Sequence, residues 1–184
     1  TLLICLAVFA GDGHAARGEM LAAAERALTD GDYAAGVAAY VEAAQNSDNI
    51  ETARQATLTA YEFGFDSLTT QAAQRWATRD ANTSEPGLYE AMAVRRSGDR
   101  EASLQLWRAA VERADNVDSV CDFFSEATAA DVRADDAAWL FDKLAARFRD
   151  SACLGYRAAS AAASANAADA ANEWLDRLQK MDAF

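Results

Sequence analysis

Proline, glycine, histidine and basic residues are all scarce in this chain, and each shortage removes a class of protein. One proline and nine glycines among 184 residues leave few obligatory breaks, while 47 alanines supply the strongest helix former. A mainly helical fold follows. The only histidine is His14, and Cys5, Cys121 and Cys153 stand far apart, so no zinc or haem spacing exists. Metal and triad chemistry have almost no raw material; the expectation is a protein that is not an enzyme and carries no cofactor and no metal. Seventeen basic residues against twenty-nine acidic ones give a formal charge of −12, which repels phosphate backbones and excludes nucleic acid as a partner. The length suffices for one ordinary domain or a short solenoid.

Long apolar runs are missing too. Leu2 to Ala10 is nine unbroken apolar residues, far short of the roughly 20 that span a bilayer as a helix. With small residues following at once, it has the shape of a secretory h-region, and Val8, Ala10 and the later Ala16 are candidate small residues before a cleavage point. Residues 1–16 are therefore read as the remnant of an export leader, and 17–184 as the domain. A buried first strand or helix of a cytosolic protein is the alternative. Phe9-Ala10-Gly11-Asp12 resembles a lipoprotein box in which Asp12 stands where the lipidated cysteine belongs. An anchor at this end is the only membrane association on offer. Removal of the leader leaves Cys121 and Cys153, 32 residues apart. They could pair in an oxidising compartment, although two ordinary buried thiols are the commoner fate of such cysteines.

What is present is a repeat. Ala27-Leu28-Thr29-Asp30-Gly31-Asp32-Tyr33 reads as a helix, a Gly-Asp turn and a new helix, and Arg96-Ser97-Gly98-Asp99-Arg100 repeats it 67 residues later. Gly64 lies midway, and the same step of 33 to 34 residues lands on Val132 and Asn166, both in short polar breaks. Five anchors result. Closely crossing antiparallel helices need small side chains at the contact. Seven residues before the anchors stand Ala24, Thr57, Ala91, Ser125 and Ala159, and five after stand Gly36, Thr69, Ser103, Ala137 and Ala171. All of them are small. Nine after come Tyr40, Ala73, Trp107, Phe141 and Leu175, where a large apolar residue should fill the space between units. Pro86, after Thr83-Ser84-Glu85, marks a helix start. The register predicts helices near 18–29, 34–46, 50–62, 66–79, 86–97, 100–113, 119–130, 135–148, 152–165 and 168–181.

These residues resemble the tetratricopeptide repeat family, whose unit is helix, turn, helix with small residues at the crossing and an aromatic in the second helix. The resemblance covers residues 17 to 184 and implies an all-α, right-handed α-solenoid of about five hairpins, about ten helices. The run Asp32-Tyr33 to Tyr40-Val41-Glu42-Ala43-Ala44-Gln45, with Glu51-Thr52-Ala53-Arg54-Gln55-Ala56 and Gln74-Arg75-Trp76-Ala77, further resembles the amino-terminal repeats of periplasmic tetratricopeptide lipoproteins. Some of those are adaptors for a carboxyl-terminal-processing protease. That resemblance implies a periplasmic, outer-membrane-associated interaction scaffold, whose partner is the protease and its substrates.

In such a stack the first helix of each pair lines the inner surface. Projection gives Leu21, Glu25 and Leu28, then Arg54, Leu58 and Tyr61, then Leu88, Met92 and Arg95, then Asp122 and Glu126, and finally Tyr156. The groove is apolar in the middle and acidic later. Burying Leu58, Leu88 and Met92 gives about 1.5 to 3 kcal/mol each, against an association cost of about 4 to 15 kcal/mol. The partner is therefore an extended peptide or a protein. Trp174, Leu175, Leu178, Met181 and Phe184 form an apolar stripe on the last helix, a docking end for further repeats or another subunit. The competing reading is a structural spacer or oligomerisation module without a groove ligand.

Overall fold

A computed structural model describes residues 9–121 and 133–181, with side chains from residue 18 onward. Among the described residues nine helices are bounded: α1 Phe9–Thr29, α2 Tyr33–Gln45, α3 Ile50–Glu62, α4 Asp66–Arg79, α5 Glu85–Arg96, α6 Arg100–Arg113, α7 Ala134–Arg147, α8 Ala152–Ser164 and α9 Ala168–Gln179. Residues 117–121 form a further helical stretch, and no strand occurs among the described residues. The expectation of an all-α chain of successive helices holds, with most boundaries within a residue or two. The exception is α1, which begins at Phe9 instead of near 18. No described helix is long and apolar enough to cross a membrane.

The turns show why the register works. Gly31, Gly64 and Gly98 all have positive φ, at 83°, 76° and 98°, a conformation that glycine adopts without steric cost. Asn166 has a φ of 59° and is the one non-glycine in this region among the described residues; asparagine is the usual substitute there. Around Gly31, Gly64 and Asn166 the helix ends close in the same way. The Gly31 N–H donates to Leu28 O and the Asp32 N–H to Ala27 O; Gly64 and Phe65 donate to Tyr61 and Ala60, and Asn166 and Ala167 to Ala163 and Ala162. This paired bonding satisfies carbonyls that a helix end leaves open. In the Gly-Asp turns the aspartate then starts the next helix. Asp32 accepts from Ala35 N at 3.1 Å and Asp99 from Ala102 N at 3.0 Å. At α5 the corresponding bond comes from Thr83, whose hydroxyl accepts from Glu85 N, while Ser84 makes no side-chain cap. The fourth anchor, Val132, lies outside the described residues.

The chain divides between Ser97 and Gly98 into two compact units. In the first, α1 packs on α2, α2 on α3 and α4, α3 on α4 and α5, and α4 on α5. Its core gathers Ala24, Tyr40, Val41, Ala44, Ala53, Ala56, Ala72 and Trp76, with Leu21, Leu28, Leu68 and Tyr89 partly buried against it. The Tyr40 hydroxyl donates to the Glu25 carboxylate. Burial first, then this bond and the charge of Glu25, push the phenol up to about 12. Arg75 of α4 donates to Ala44 O and Ser47 O and pairs with Asp48, pinning the α2–α3 connection.

In the second unit α6 touches α7, α7 packs on α8 and α8 on α9. Its interior holds Trp107, Leu140, Phe141, Leu144, Leu154 and Leu178. Arg147 on α7 pairs with Glu112 on α6 at 3.1 Å. Cys121 and Cys153 are joined by a disulfide with a Cα–Cα distance of 6.2 Å. Of the two readings of these cysteines, the bridge replaces the free thiols: the helical stretch that includes Cys121 and the first turn of α8 bring them within bonding reach.

Small side chains stand where close packing requires them. Ala24, Gly36, Thr57, Thr69, Ala91, Ser103, Ala159 and Ala171 are all buried, and Ala137 is half-buried; Ser125 lies outside the described residues. Gly36 is the tightest. A Cβ there would stand 2.7 Å from Leu28 Cγ and 3.1 Å from the Ala24 carbonyl oxygen. Thr57 and Thr69 fit because each hydroxyl turns back onto its own helix, donating to Ala53 O and Phe65 O. Tyr40, Ala73, Trp107 and Phe141 are buried nine residues after their anchors. Leu175 is not, with 43% exposure: Trp174 takes the inward position of α9, and one helical residue corresponds to a rotation of about 100°.

Two outcomes follow. Gly36→Val forces the Cβ branch against Leu28 and the Ala24 carbonyl and should lower the urea unfolding free energy by about 1 to 3 kcal/mol, with CD-detected helicity retained below the transition. Cys121→Ser with Cys153→Ser removes a 32-residue closure. It should cost the second unit about 3 to 4 kcal/mol on the chain-entropy account, read as an earlier calorimetric transition that matches the wild type under reductant.

Candidate functional site

The expected groove residues of the first unit separate by depth. Leu88 and Met92, on α5, are only 2% and 5% exposed. They are core residues, not partner contacts, because both turn into the packing of the unit, where the Tyr61 hydroxyl meets the Met92 sulfur at 3.4 Å. Leu21 is half-buried against the α1–α2 core. Arg54, Leu58 and Tyr61 on α3 and Arg95 on α5 are half-buried and retain accessible surface. Asp122 and Glu126 lie outside the described residues. Tyr156 belongs to α8 of the second unit and is 54% exposed.

Around the α3 residues the structure assembles a cation–aromatic cluster that projection of a single helix face did not reveal. The Tyr61 and Tyr89 rings meet edge to face at 5.3 Å, and Trp76 of α4 lies 6.4 Å from Tyr89. Arg96 sits 4.1 Å over the Tyr61 ring, donates to Tyr61 O and pairs with Asp66 at 2.6 Å. Arg54 stands 6.0 Å from the Trp76 ring and 3.4 Å from Glu51. Trp76, Tyr89 and Arg96 come from positions adjacent to the projected face or from the second helix of the pair. Their signal was in the sequence as the aromatic of the Gln74-Arg75-Trp76 motif and the basic last turn of α5.

Glu85, in the first turn of α5, belongs to the same surface. Burial pushes its carboxyl above the usual range; Arg54 partly offsets the rise and Glu51 adds to it. A half-buried carboxylate between an arginine and a second acid is held ionised at a cost. With Trp76 buried beneath them at 2% exposure, the half-buried Arg54, Tyr61, Glu85, Tyr89 and Arg96 form a mixed surface of arginine, aromatic ring and acid, suited to contacting a polypeptide by stacking and charge-assisted hydrogen bonds.

At the far end, two of the residues expected to form an open docking stripe are packed inward. Trp174 is 6% exposed, its indole N–H donates to Asp142 at 3.3 Å, and Leu178 is buried. The cause is a close approach of α9 to α8 at Gly155, where a Cβ would stand 2.9 Å from Leu178 Cδ2. Met181 is half-buried, and Phe184 lies outside the described residues.

No family model matches the chain, and no curated protein matches it. Among solved structures it is similar to two crystal structures of MamA. One has 14% identity and a TM-score of 0.47 and covers 90% of this chain and 91% of that one; the other has 14% identity and a TM-score of 0.45 and covers 86% and 94%.

Glu85 supplies a test of the electrostatics. Its raised folded pKa means that the ionised form is disfavoured by folding, a penalty fully present above the raised value and absent below the ordinary glutamate range. Glu85→Gln should therefore raise the melting temperature at pH 7, and the gain should disappear as the pH falls below the ordinary glutamate pKa of about 4.3.

Proposed function

We propose that the chain is a non-catalytic scaffold that binds an extended segment of another protein on the α3–α5 surface of its first unit. The observation that carries this reading is the accessible row of Arg54, Leu58 and Tyr61 backed by Trp76, Tyr89 and Arg96. Tyrosine and arginine are among the side chains in which binding energy concentrates at protein interfaces, and Trp76 supports them from the core. Glu85, whose charge is costly in the free protein, gains from a cationic group on the partner.

The setting proposed is the bacterial cell envelope, in the periplasm. The disulfide between Cys121 and Cys153 supports it, since such bridges persist in oxidising compartments, and so does the leader-like run from Leu2 to Ala10. Within that setting the resemblance of the first repeats to protease adaptors makes a carboxyl-terminal-processing protease and its substrates the partners to try first.

The test is an affinity purification from periplasmic extract with the wild type and with Arg54→Glu combined with Leu58→Glu. The expected result is a protein retained by the wild type and lost, by tenfold or more, from the variant, with helicity and melting unchanged. Equal retention would remove the surface from the proposal and favour a spacer role. Loss of helicity would make Leu58 and Arg54 structural.

A further inference from the structure

We propose that Asn82 is a modification site, the acceptor of an N-linked oligosaccharide on the connection between α4 and α5. Asn82-Thr83-Ser84 has the asparagine, the non-proline middle residue and the hydroxyl that this modification reads. Asp80 extends the motif to Asp-x-Asn-x-Ser, the five-residue form, with an acid two places before the asparagine, that bacterial oligosaccharyltransferases accept. Of the six asparagines in the chain, Asn82 alone has serine or threonine two residues on, so the modification has a single address. The proposal rests on the envelope setting for access to its enzyme, and on nothing in the α3–α5 binding surface.

The fold leaves the motif open where the chemistry needs it. α4 ends at Arg79 and α5 starts at Glu85, and Asn82 lies exposed in the turn between them. A side-chain amide that holds a helix end is not free to be bonded elsewhere, and asparagines in other connections are engaged in this way. Asn46 donates to Glu42 O, Asn49 accepts from Glu51 N, and Asn116 accepts from Asp118 N. The Asn82 amide makes no hydrogen bond among the described residues. Its partner hydroxyl is also spare. Ser84 stands at the N-cap of α5, where serine ordinarily gives its hydroxyl to the helix, yet its side chain makes no cap bond. Thr83 takes over that contact, its hydroxyl accepting from Glu85 N at 3.3 Å. The nitrogen to be bonded and the hydroxyl to be read are therefore both unengaged on one surface turn.

The co-reactant is an oligosaccharide linked through its first sugar to a polyprenyl diphosphate. The Asn82 amide nitrogen bonds to C1 of that sugar while the bond from C1 to the diphosphate oxygen breaks. Polyprenyl diphosphate leaves with the electron pair, and the amide gives up one proton through the enzyme to solvent. No oxidant or reductant is involved. The product retains one amide N–H and carries a bulky, hydrated chain, which grows outward from an exposed side chain and displaces no buried group.

The test takes the folded, disulfide-bonded protein, a detergent-solubilised bacterial oligosaccharyltransferase that requires the acid, and its polyprenyl-diphosphate-linked oligosaccharide. Mass spectrometry after trypsin should show a gain of one glycan on the peptide Asp80 to Arg95, which holds no other asparagine. Asn82→Gln, Ser84→Ala and Asp80→Ala should each lose the gain, and Ser84→Thr should keep it. Ser84→Ala should melt with the wild type, since that hydroxyl caps nothing. No gain on the folded protein would overturn the proposal: modification of the synthetic peptide Asp80 to Arg95 alone would mean that the fold closes the turn, and modification of neither that the sequence is not read. A gain kept by Asn82→Gln would overturn it as well. Cell fractionation reads the setting separately. A protein retained in the cytosol would overturn modification in the cell while the reaction of the purified protein stood, which tells the two failures apart.

Discussion

Two helix backbones can approach only as closely as the side chains between them permit, and in this protein those side chains are nearly absent. At Gly36 a single added carbon would collide with Leu28 and crowd the Ala24 carbonyl; at Gly155 it would collide with Leu178. Helices brought this close have no room for bulk on the contact line, so large side chains are displaced to its flanks. Trp76, Trp107, Phe141 and Trp174 occupy those flanks, all buried. Because alanine buries little apolar area per residue, each unit draws much of its cohesion from these few large groups. The crossing contacts fix which way α3 and α5 face, and through that which side chains reach solvent.

The turns give the crossings their phase. A helix that ends on a left-handed residue closes with a fixed pair of hydrogen bonds, so the direction of the following chain is determined locally. Gly31 and Gly98 then hand over to Asp32 and Asp99, which start the next helix one residue later. Asn166 performs the terminating role of glycine in the last hairpin. The polar consequences are local too: Arg75 holds the α2–α3 connection, and Arg96 draws α5 onto the end of α3 through the Tyr61 carbonyl.

Helix positions were legible in the sequence because they depend on local chemistry: alanine-rich runs, Gly-Asp turns and small residues at a regular spacing. Depth was less legible. Leu88 and Met92 lie on the expected face of α5, but a projection gives direction without saying how far a neighbouring helix covers it, and Tyr61 reaches over Met92. Trp174 and Leu175 differ by one position and exchange roles, although the anchor Asn166 and the crossing residue Ala171 are both in register. Tyr89 of the candidate surface and Trp76 buried beneath it come from two different helices, a convergence that no single helical wheel contains. The pairing of Cys121 with Cys153 likewise depended on distance in space, which their sequence separation left open.

The bridge between Cys121 and Cys153 also changes what backbone cleavage can do. Any single cut between residues 122 and 152 leaves both ends attached to one another through sulfur, so the molecule keeps its mass and travels as one particle until a thiol reagent releases the fragments. For a protein proposed to work beside a protease, a nick in that span is then a covalently tethered event rather than the loss of a domain.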